Sequence, residues 1–114
     1  MPSRRLDDLD PEFRALAVEL IARACEARIP LRIIETRRSQ QEQDEYVRRG
    51  RSWTRNGKHV VGRAIDLCPT ELLNEPNWKP ESVLWVQLGA IAEGLGLVWG
   101  GGWTVRDCCH IEMP

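Results

Sequence analysis

The sequence lacks any apolar run that approaches the roughly 20 residues needed to cross a bilayer. Its first residues include Arg4 and Arg5, but no apolar stretch follows them, so they are not typical of a secretion signal. These two absences predict a protein without a membrane segment that is made and kept in the cytoplasm. The 114 residues, 42% apolar and 29% charged, predict a single folded domain over residues 1–114.

The four cysteines do not form the pattern of a secreted disulfide framework, because two are adjacent and no export signal precedes them. Cys25 falls on the apolar face of a predicted helix and is expected in the core. Cys108 and Cys109 could join Cys68 and His110 in a structural zinc site, or supply a nucleophile. Known zinc sites place about two to four residues between cysteines, which favours simple packing instead.

Charge is distributed unevenly along the chain, although the net charge is only −1. Residues 1–63 hold 14 basic and 10 acidic side chains, whereas residues 64–114 hold 2 and 7. The excess of basic side chains in residues 1–63 indicates either a solvated loop or a basic rim that attracts an anionic substrate. A pI near 6.1 argues against nucleic acid as the partner. The basic cluster consists of Arg48, Arg49, Arg51, Arg55, Lys58 and Arg63.

Hydrophobic spacing and capping residues predict a mixed architecture. Helices come first and most strands later, without regular βαβ alternation, so we predict an α+β domain with a small antiparallel sheet packed with about three helices. The predicted elements are a helix from Pro11 that ends by Pro30, a strand over 31–34, a helix opened by the capping box Ser39–Glu42 and closed by Gly50, a strand over 64–68, a helix from Glu81 to Gly94, and strands over 97–99 and 110–113.

Only two histidines are present, and each lies near an aspartate. His59 precedes Asp66 by seven residues, and His110 follows Asp107 by three. Two imidazoles and one carboxylate would give zinc three protein ligands and leave a fourth position for water, as in catalytic zinc sites. Taken alone, the first segment favours a polar loop residue for His59; the second histidine segment makes the metal hypothesis stronger.

Two small residues lie between His59 and Asp66, the candidate ligands of the first segment. Gly62 and Ala64 would let the backbone pass close to a bound ion or substrate. Further along, two tryptophans, Trp99 and Trp103, flank a run of three glycines just before the second histidine segment. They would either wall a substrate cleft or pack in the core.

Together these segments resemble the zinc peptidases that cut bacterial cell-wall peptides, namely D-alanyl-D-alanine carboxypeptidases and the L-alanyl-D-glutamate endopeptidases of phage endolysins. The family pattern is S-x-H-x-x-G-x-A-x-D, then W-G-G-x-W, then an acid three residues before a histidine. The resemblance runs from about residue 33 to 112 and implies the fold shared with the hedgehog signalling domain. It is carried by Arg38, Ser39, Gln43, Tyr46, Gly50, His59, Gly62, Ala64, Asp66, Trp99, Gly100, Gly101, Trp103, Asp107 and His110.

The chain departs from the family pattern at two positions. The serine before the first ligand is Gly57, which removes no ligand but is expected to loosen the loop. Gly102 stands where the family often has a polar residue, which leaves substrate contacts at that turn open.

Carried over by position, the resemblance implies that His59, Asp66 and His110 bind Zn²⁺. Asp107 would be the general base that takes a proton from the attacking water and passes it to the leaving amine. The alternative for Asp107 is a residue that caps the turn before the last strand.

The resemblance also implies roles in substrate binding. Arg38 would stabilise the charge that develops on the scissile carbonyl, and Ser39 and Trp103 would contact the substrate. The alternative for Arg38 is a surface ion pair with Glu35 or Glu42. Arg37 is a competing choice, although on an extended segment the two arginines would point to opposite faces.

From the resemblance we expect a monomeric zinc peptidase that acts on the peptidoglycan stem peptide. An L-alanyl-D-glutamate endopeptidase of phage or prophage lysis is the first choice, and a D-alanyl-D-alanine carboxypeptidase the second. A zinc-binding module without catalysis, as in hedgehog, is the alternative from another class. We expect no nucleic-acid or membrane partner, and a holin-like partner for release to the cell wall.

Overall fold

The computed structural model describes residues 1–51 and 57–114. No helix in these two ranges has the length and apolarity required to span a membrane. The elements are helices α1 (Pro11–Glu26), α2 (Gln40–Arg48) and α3 (Val83–Gly94), strands β1 (Leu31–Glu35), β2 (Ala64–Pro69), β3 (Val98–Trp99) and β4 (His110–Glu112), and 3₁₀ turns at Leu6–Asp8, Thr70–Leu72, Pro76–Trp78 and Gly100–Gly102. The predicted α+β class is confirmed.

The four strands form one sheet in the order β1-β2-β4-β3, and every neighbouring pair is antiparallel. In the central pair, Asp66 lies opposite His110 and Ile65 lies opposite Ile111. Successive residues of a strand point to opposite faces, so the two partners in each cross-strand pair share a face. The pairing of β2 with β4 therefore brings two distant candidate ligands together.

The first helix begins as predicted, because the side chain of Asp10 accepts a hydrogen bond from the backbone N–H of Phe13 and Pro11 occupies the first turn. It ends at Glu26, four residues before Pro30. Arg28 adopts a left-handed conformation with φ of 64°, which stops the helix before the proline does.

The other two helices also begin at side-chain caps. Ser39 and Glu42 form the predicted capping box of α2, and Gly50 follows this helix with φ of 72°. In α3 the cap is Ser82, whose hydroxyl accepts from the N–H of Leu84, so this helix begins two residues later than Glu81.

Apolar side chains of α1 and α3 pack together with those of the sheet in one core. The predicted face of α1 is confirmed, since four of its residues are fully buried and Leu16 and Ile21 pack partly buried against them. Cys25 is exposed, so its predicted place in the core is wrong; it lies one position past the buried Ala24, on the solvent side of the helix. The fully buried residues of α1 are Phe13, Ala17, Leu20 and Ala24.

The two faces of the sheet carry different kinds of side chains. Ile65 and Leu67 of β2 and Ile111 of β4 are completely buried and belong to the core. Asp66 and His110 alternate with them along the same strands, so they point to the other face. The apolar face stabilises the fold, and the opposite face is left for polar side chains.

Trp99 connects α3 to the segment that carries the second histidine. Its indole N–H donates to the carbonyl of Cys108 over 2.7 Å. A Cβ at Gly89 of α3 would lie 2.2 Å from the indole ring, and one at Gly101 would lie 2.0 Å from it. The ring therefore requires glycine at both positions, which fixes the end of β3 against the helix and against residues 107–110.

We expect Gly89→Ala to destabilise the protein by about 1–3 kcal/mol, because the added methyl overlaps the Trp99 ring. Gly94→Ala on the same helix is the matched control, since no atom lies within 4 Å of a Cβ there. That control is expected to be neutral or to gain up to about 1 kcal/mol. Urea unfolding at a fixed metal concentration measures both, and equal stabilities for the two variants would contradict this packing.

Candidate metal centre

Three side chains that are distant in sequence converge on the polar face of the sheet. Asp66 Oδ1 lies 3.2 Å from His59 Nε2 and 3.3 Å from His110 Nδ1. The three ligand atoms lie within 4.8 Å of one another, and within the described residues this is the one group of side chains arranged to hold a metal ion. The residues that the sequence picked out as candidate ligands are brought together.

His59 is held by a loop that is itself tied to two other segments. Its Nδ1–H donates to the carbonyl of Thr36 over 2.8 Å, and its own carbonyl accepts from the N–H of Arg38 over 3.2 Å. Because Nδ1 is used by this bond, Nε2 is the nitrogen that faces Asp66, at 3.2 Å from Oδ1. The ring orientation is fixed from behind, as is usual for a histidine that binds metal.

Gly62 anchors the same loop to the start of α1. Its carbonyl accepts from the N–H of Asp10, and a Cβ on Gly62 would lie 2.8 Å from that nitrogen. The close backbone approach predicted at Gly62 therefore exists, but the neighbour is the chain around Asp10 rather than an ion or a substrate. Arg63 adds a 3.0 Å ion pair to Asp10.

His110 is oriented by a second carboxylate. Its Nε2 lies 2.7 Å from Glu112 Oε1, so this nitrogen donates to Glu112 and Nδ1 faces Asp66. Lys58 in turn lies 3.2 Å from the other oxygen of Glu112 and donates to the carbonyl of Met113. Lys58 thus ties the loop that carries His59 to the strand that carries His110.

The charges of these groups favour a bound cation. Burial opposes ionisation of Asp66, but hydrogen bonds from His110 and His59 outweigh it and hold the pKa of Asp66 below its usual range. Burial also opposes protonation of His110, yet the bonds to Asp66 and Glu112 prevail and raise its pKa to about 9. The extra proton on His110 Nδ1 is the one that a metal ion would replace.

The distances between the ligand atoms also fit a small divalent ion. Ligands at about 2.0–2.2 Å in a tetrahedron lie about 3.3–3.6 Å apart, close to the 3.2 and 3.3 Å that separate Asp66 Oδ1 from the two imidazole nitrogens. Two nitrogens and one carboxylate oxygen are a donor set typical of zinc hydrolases. His59, Asp66 and His110 therefore fit a metal ion with a position left open towards the cleft.

Asp107 lies in the turn that leads into β4 and lines the same cleft as the three ligands. Its N–H donates to the carbonyl of Gly100, and its carbonyl accepts from the N–H of His110. Partial desolvation and the nearby charge of Asp66 raise the pKa of its carboxyl, although the positive charge of His110 opposes this. A higher pKa brings a carboxylate closer to that of an effective general base.

Arg38 lines the cleft, whereas Arg37 is exposed and does not. The Arg38 side chain donates to Glu35 through Nε over 2.7 Å and through Nη2 over 2.6 Å, and through Nη1 to Gln43 over 2.7 Å. Its guanidinium stacks 4.4 Å from the Tyr46 ring centroid. The partner is Glu35, one of the two considered from the sequence, but the ion pair is buried rather than at the surface.

Ser39 and Trp103 occupy different surroundings. The Ser39 hydroxyl accepts from the N–H of Glu42 as the cap of α2, and Ser39 is not among the residues that line the cleft. Trp103 does line it, with its ring 5.2 Å from that of His110 and 39% of its surface exposed. Trp103 is thus a cleft wall and Trp99 a packing residue; substrate contact by Ser39 and Trp103 stays a prediction.

The two adjacent cysteines pack against the core rather than forming a metal cluster with Cys68 in the described part of the chain. Cys109 Sγ lies 3.5 Å from Asp107 Oδ1, and Cys108 Sγ accepts from Arg106 over 3.4 Å. Burial and the neighbouring carboxylates raise the pKa of the Cys109 thiol far above its ordinary value. A thiol that stays protonated is a poor nucleophile, which supports the packing interpretation.

The basic cluster predicted from the sequence is largely neutralised. Arg48 and Arg49 pair with Glu45, Lys58 with Glu112, and Arg63 with two acids at the start of α1. Arg51 lines the cleft and has no ion pair within residues 1–51 and 57–114. Arg55 lies outside the described residues.

The cleft encloses about 920 Å³, and its lining includes Arg38, Tyr46, Trp103 and Asp107 together with the three candidate ligands. Sequence reasoning did not find Glu112, the carboxylate behind His110, and it considered Glu35 as a partner of Arg38 only in a surface ion pair. Glu112 could have been suspected, because in a strand it shares a face with His110 two residues earlier.

Comparison with known proteins agrees with this geometry. A family model described as D-alanyl-D-alanine carboxypeptidase matches residues 50–113. The peptidoglycan L-alanyl-D-glutamate endopeptidase CwlK of Bacillus subtilis (strain 168) is 32% identical to the chain, over 93% of the chain and 74% of CwlK.

Two solved structures share the fold. The L-Ala D-Glu endopeptidase ChiX of Serratia marcescens superposes with a TM-score of 0.73 at 25% identity, covering all of this chain and 89% of ChiX. The D,D-pentapeptidase VanY from a VanB-type vancomycin resistance cassette, solved in complex with Zn(II), superposes with a TM-score of 0.65 at 13% identity. That match covers 92% of this chain and 72% of VanY.

Proposed function

We propose that this chain, which belongs to the peptidase family described as D-alanyl-D-alanine carboxypeptidase, is a zinc-dependent L-alanyl-D-glutamate endopeptidase of the peptidoglycan stem peptide. Family membership makes it a peptidoglycan hydrolase. The observation that carries the finer proposal is the convergence of His59, Asp66 and His110 beside Asp107 in one open cleft, in a chain similar over nearly its whole length to CwlK.

Zinc is proposed as the ion held by His59, Asp66 and His110 on the donor set and spacing described above, and VanY, which shares the fold, was solved with Zn(II). When bound, zinc would lower the pKa of a coordinated water towards about 7 and polarise the scissile carbonyl. Glu112 and the Thr36 carbonyl would keep both imidazoles in the tautomer that presents a lone pair.

Asp107 is proposed as the general base. Its carboxylate lines the same cleft as the ligands, and its pKa is raised towards the working pH. It would accept a proton from the attacking water and then deliver it to the nitrogen of the leaving amine as the amide bond breaks. The backbone bonds of Asp107 to Gly100 and His110 hold it in place without engaging its carboxylate.

Arg38 is proposed to stabilise the negative charge that develops on the carbonyl oxygen. Three of its five N–H groups are used by Glu35 and Gln43, which leaves one N–H on each terminal nitrogen for the substrate. The buried pair with Glu35 and the contact with Tyr46 fix the plane of the guanidinium. A donor that is already oriented loses little freedom in the transition state.

Two other activities remain as alternatives. A D-alanyl-D-alanine carboxypeptidase would use the same metal and base but release a terminal D-alanine. A non-catalytic zinc module is disfavoured, because such a site has no need of a carboxylate placed like Asp107. A monomeric state, a holin-like release partner and the substrate contacts of Ser39 and Trp103 stay predictions.

Digestion of purified sacculi, with and without a chelator, tests the proposal. Zinc-loaded protein is expected to cut stems between L-alanine and D-glutamate, chelator to abolish cleavage, and added zinc to restore it. Mass spectrometry of the products separates the activities, since released D-alanine would indicate the carboxypeptidase instead. Cleavage that persists without any metal would overturn the mechanism.

Asp107→Ala is expected to lower kcat by about 10²- to 10⁴-fold, the usual contribution of a general base. Zinc affinity should change little, because Asp107 is not among the three ligands. Steady-state kinetics and a competition assay with a coloured chelator measure the two quantities. Near-normal turnover in this variant would assign the base elsewhere.

Arg38→Lys is expected to lower kcat by about 10²-fold or more, because lysine lacks the planar fork of donors. Lysine still places a positive charge opposite Glu35, so the buried carboxylate is not left unpaired. Arg37→Lys is the matched control on the exposed neighbour and should behave like the wild type. If Arg37→Lys is the damaging change, the wrong arginine has been chosen.

A further inference from the structure

A second cleft adjoins the cleft of the candidate metal centre at Asp107. It encloses about 470 Å³, and its walls are the indoles of Trp78 and Trp85 with Asn77 and Pro80. Arg106 and Asp107 line both this cleft and the cleft that holds His59, Asp66 and His110, so the two clefts meet at these residues. We call it the indole cleft.

Rigid walls give the indole cleft a defined shape. Trp85 is 1% exposed, and its N–H donates to the carbonyls of Trp78 over 2.9 Å and Lys79 over 3.1 Å. Asn77, Trp78 and Lys79 all have left-handed backbone conformations, with φ between 48° and 56°. Backbone strain of this kind persists only where the surroundings hold it, so this turn is firmly fixed by the packing around Trp85.

Arg106 is the cationic group of this cleft, and the structure gives it no carboxylate partner among the described residues. Its Nη2 donates to the carbonyl of Pro80 over 3.2 Å and to Cys108 Sγ over 3.4 Å, both uncharged partners. It forms no ion pair with a carboxylate among residues 1–51 and 57–114, and it is exposed. The contact with Pro80 holds the guanidinium at the mouth of the cleft with its remaining donors available.

The proposed reaction decides which part of a substrate would reach Arg106. Asp107 must come within hydrogen-bond reach of the leaving amine to protonate it, so the leaving side of the substrate lies next to Asp107. The indole cleft is also lined by Asp107, so it lies next to the leaving side of the substrate. In the proposed substrate, the amine belongs to a D-glutamyl residue, which has two carboxyl groups. Only one can continue the peptide, and the other stays free close to the scissile bond.

We propose that the indole cleft is the binding site for the leaving half of the stem peptide, and that Arg106 pairs with the free carboxylate of the D-glutamyl residue. An arginine fork matches a carboxylate in shape and charge. The apolar walls of Trp78, Pro80 and Trp85 would cover the part of the peptide that follows. This inference rests on the proposed endopeptidase function and names the group that this site recognises.

The test uses two synthetic stem peptides that differ only at the free carboxyl of the D-glutamyl residue, one as the acid and one as its neutral amide. Zinc-loaded wild type and Arg106→Met are compared by kcat/KM on both peptides. Arg23→Met on α1 is the control, because Arg23 is half-exposed and its ion pair among the described residues is with Glu19 alone. Thermal unfolding confirms that each variant is folded.

Wild type and the Arg23 variant are expected to prefer the acid over the amide by about tenfold or more, the usual effect of a charge-assisted hydrogen bond. Arg106→Met is expected to lose that preference by weakening hydrolysis of the acid, mainly through KM, while the amide is cut at nearly the wild-type rate. Equal losses on both peptides, or an unchanged preference, would overturn the proposal. If wild type cuts neither peptide, it is the endopeptidase function that fails.

Discussion

The carboxylate of Asp66, nearly buried and shared by two imidazoles, is the interaction on which the rest of the site depends. Its burial would favour the neutral acid, yet the nearby rings of His59 and His110 keep its pKa below the ordinary range. The segments around Asp66 hold the two imidazoles against its carboxylate. The sheet supplies Asp66 and His110, and the loop fixed by Thr36 and Gly62 supplies His59.

Local signals in the sequence were enough for the helices and for most of the sheet. Asp10, Ser39 and Glu42 act through bonds to residues a few positions away, so their capping roles follow from short patterns. Cys25 shows the limit of this reasoning. A position at the edge of an apolar stripe is exposed or buried according to what packs beside it, and that depends on the tertiary structure.

The candidate site was accessible to sequence reasoning only in part. The residues of the proposed ligand set were suggested by two short segments and by a family resemblance, but the groups that orient them were not. Glu112 behind His110 and Trp99 behind the Asp107 turn act through hydrogen bonds and packing that were not predicted, and the ion pair of Arg38 with Glu35 was expected at the surface rather than buried. The structure also weakens the interpretation of the basic cluster as a rim that attracts an anionic substrate, because most of its charges have partners in the fold.

Gly57 illustrates how a departure from a family pattern can be structural. A Cβ at this position would lie 3.1 Å from the side chain of Gln43, which is fully buried and accepts from Arg38. Without a side chain, Gly57 leaves room for Gln43, which accepts the hydrogen bond from Arg38. Gly102, the other departure, has open space around it, so no such packing reason applies there.

The pairing of Asp66 with His110 across β2 and β4 has a consequence for how the chain reaches its native state. Sliding β4 by a single residue would turn His110 to the apolar side and bring Ile111 to the polar one. A metal ion can bind only the correctly aligned strands, and binding to one state alone stabilises it by mass action. A bound metal ion would thus stabilise the native register of β2 and β4 relative to registers shifted by one residue.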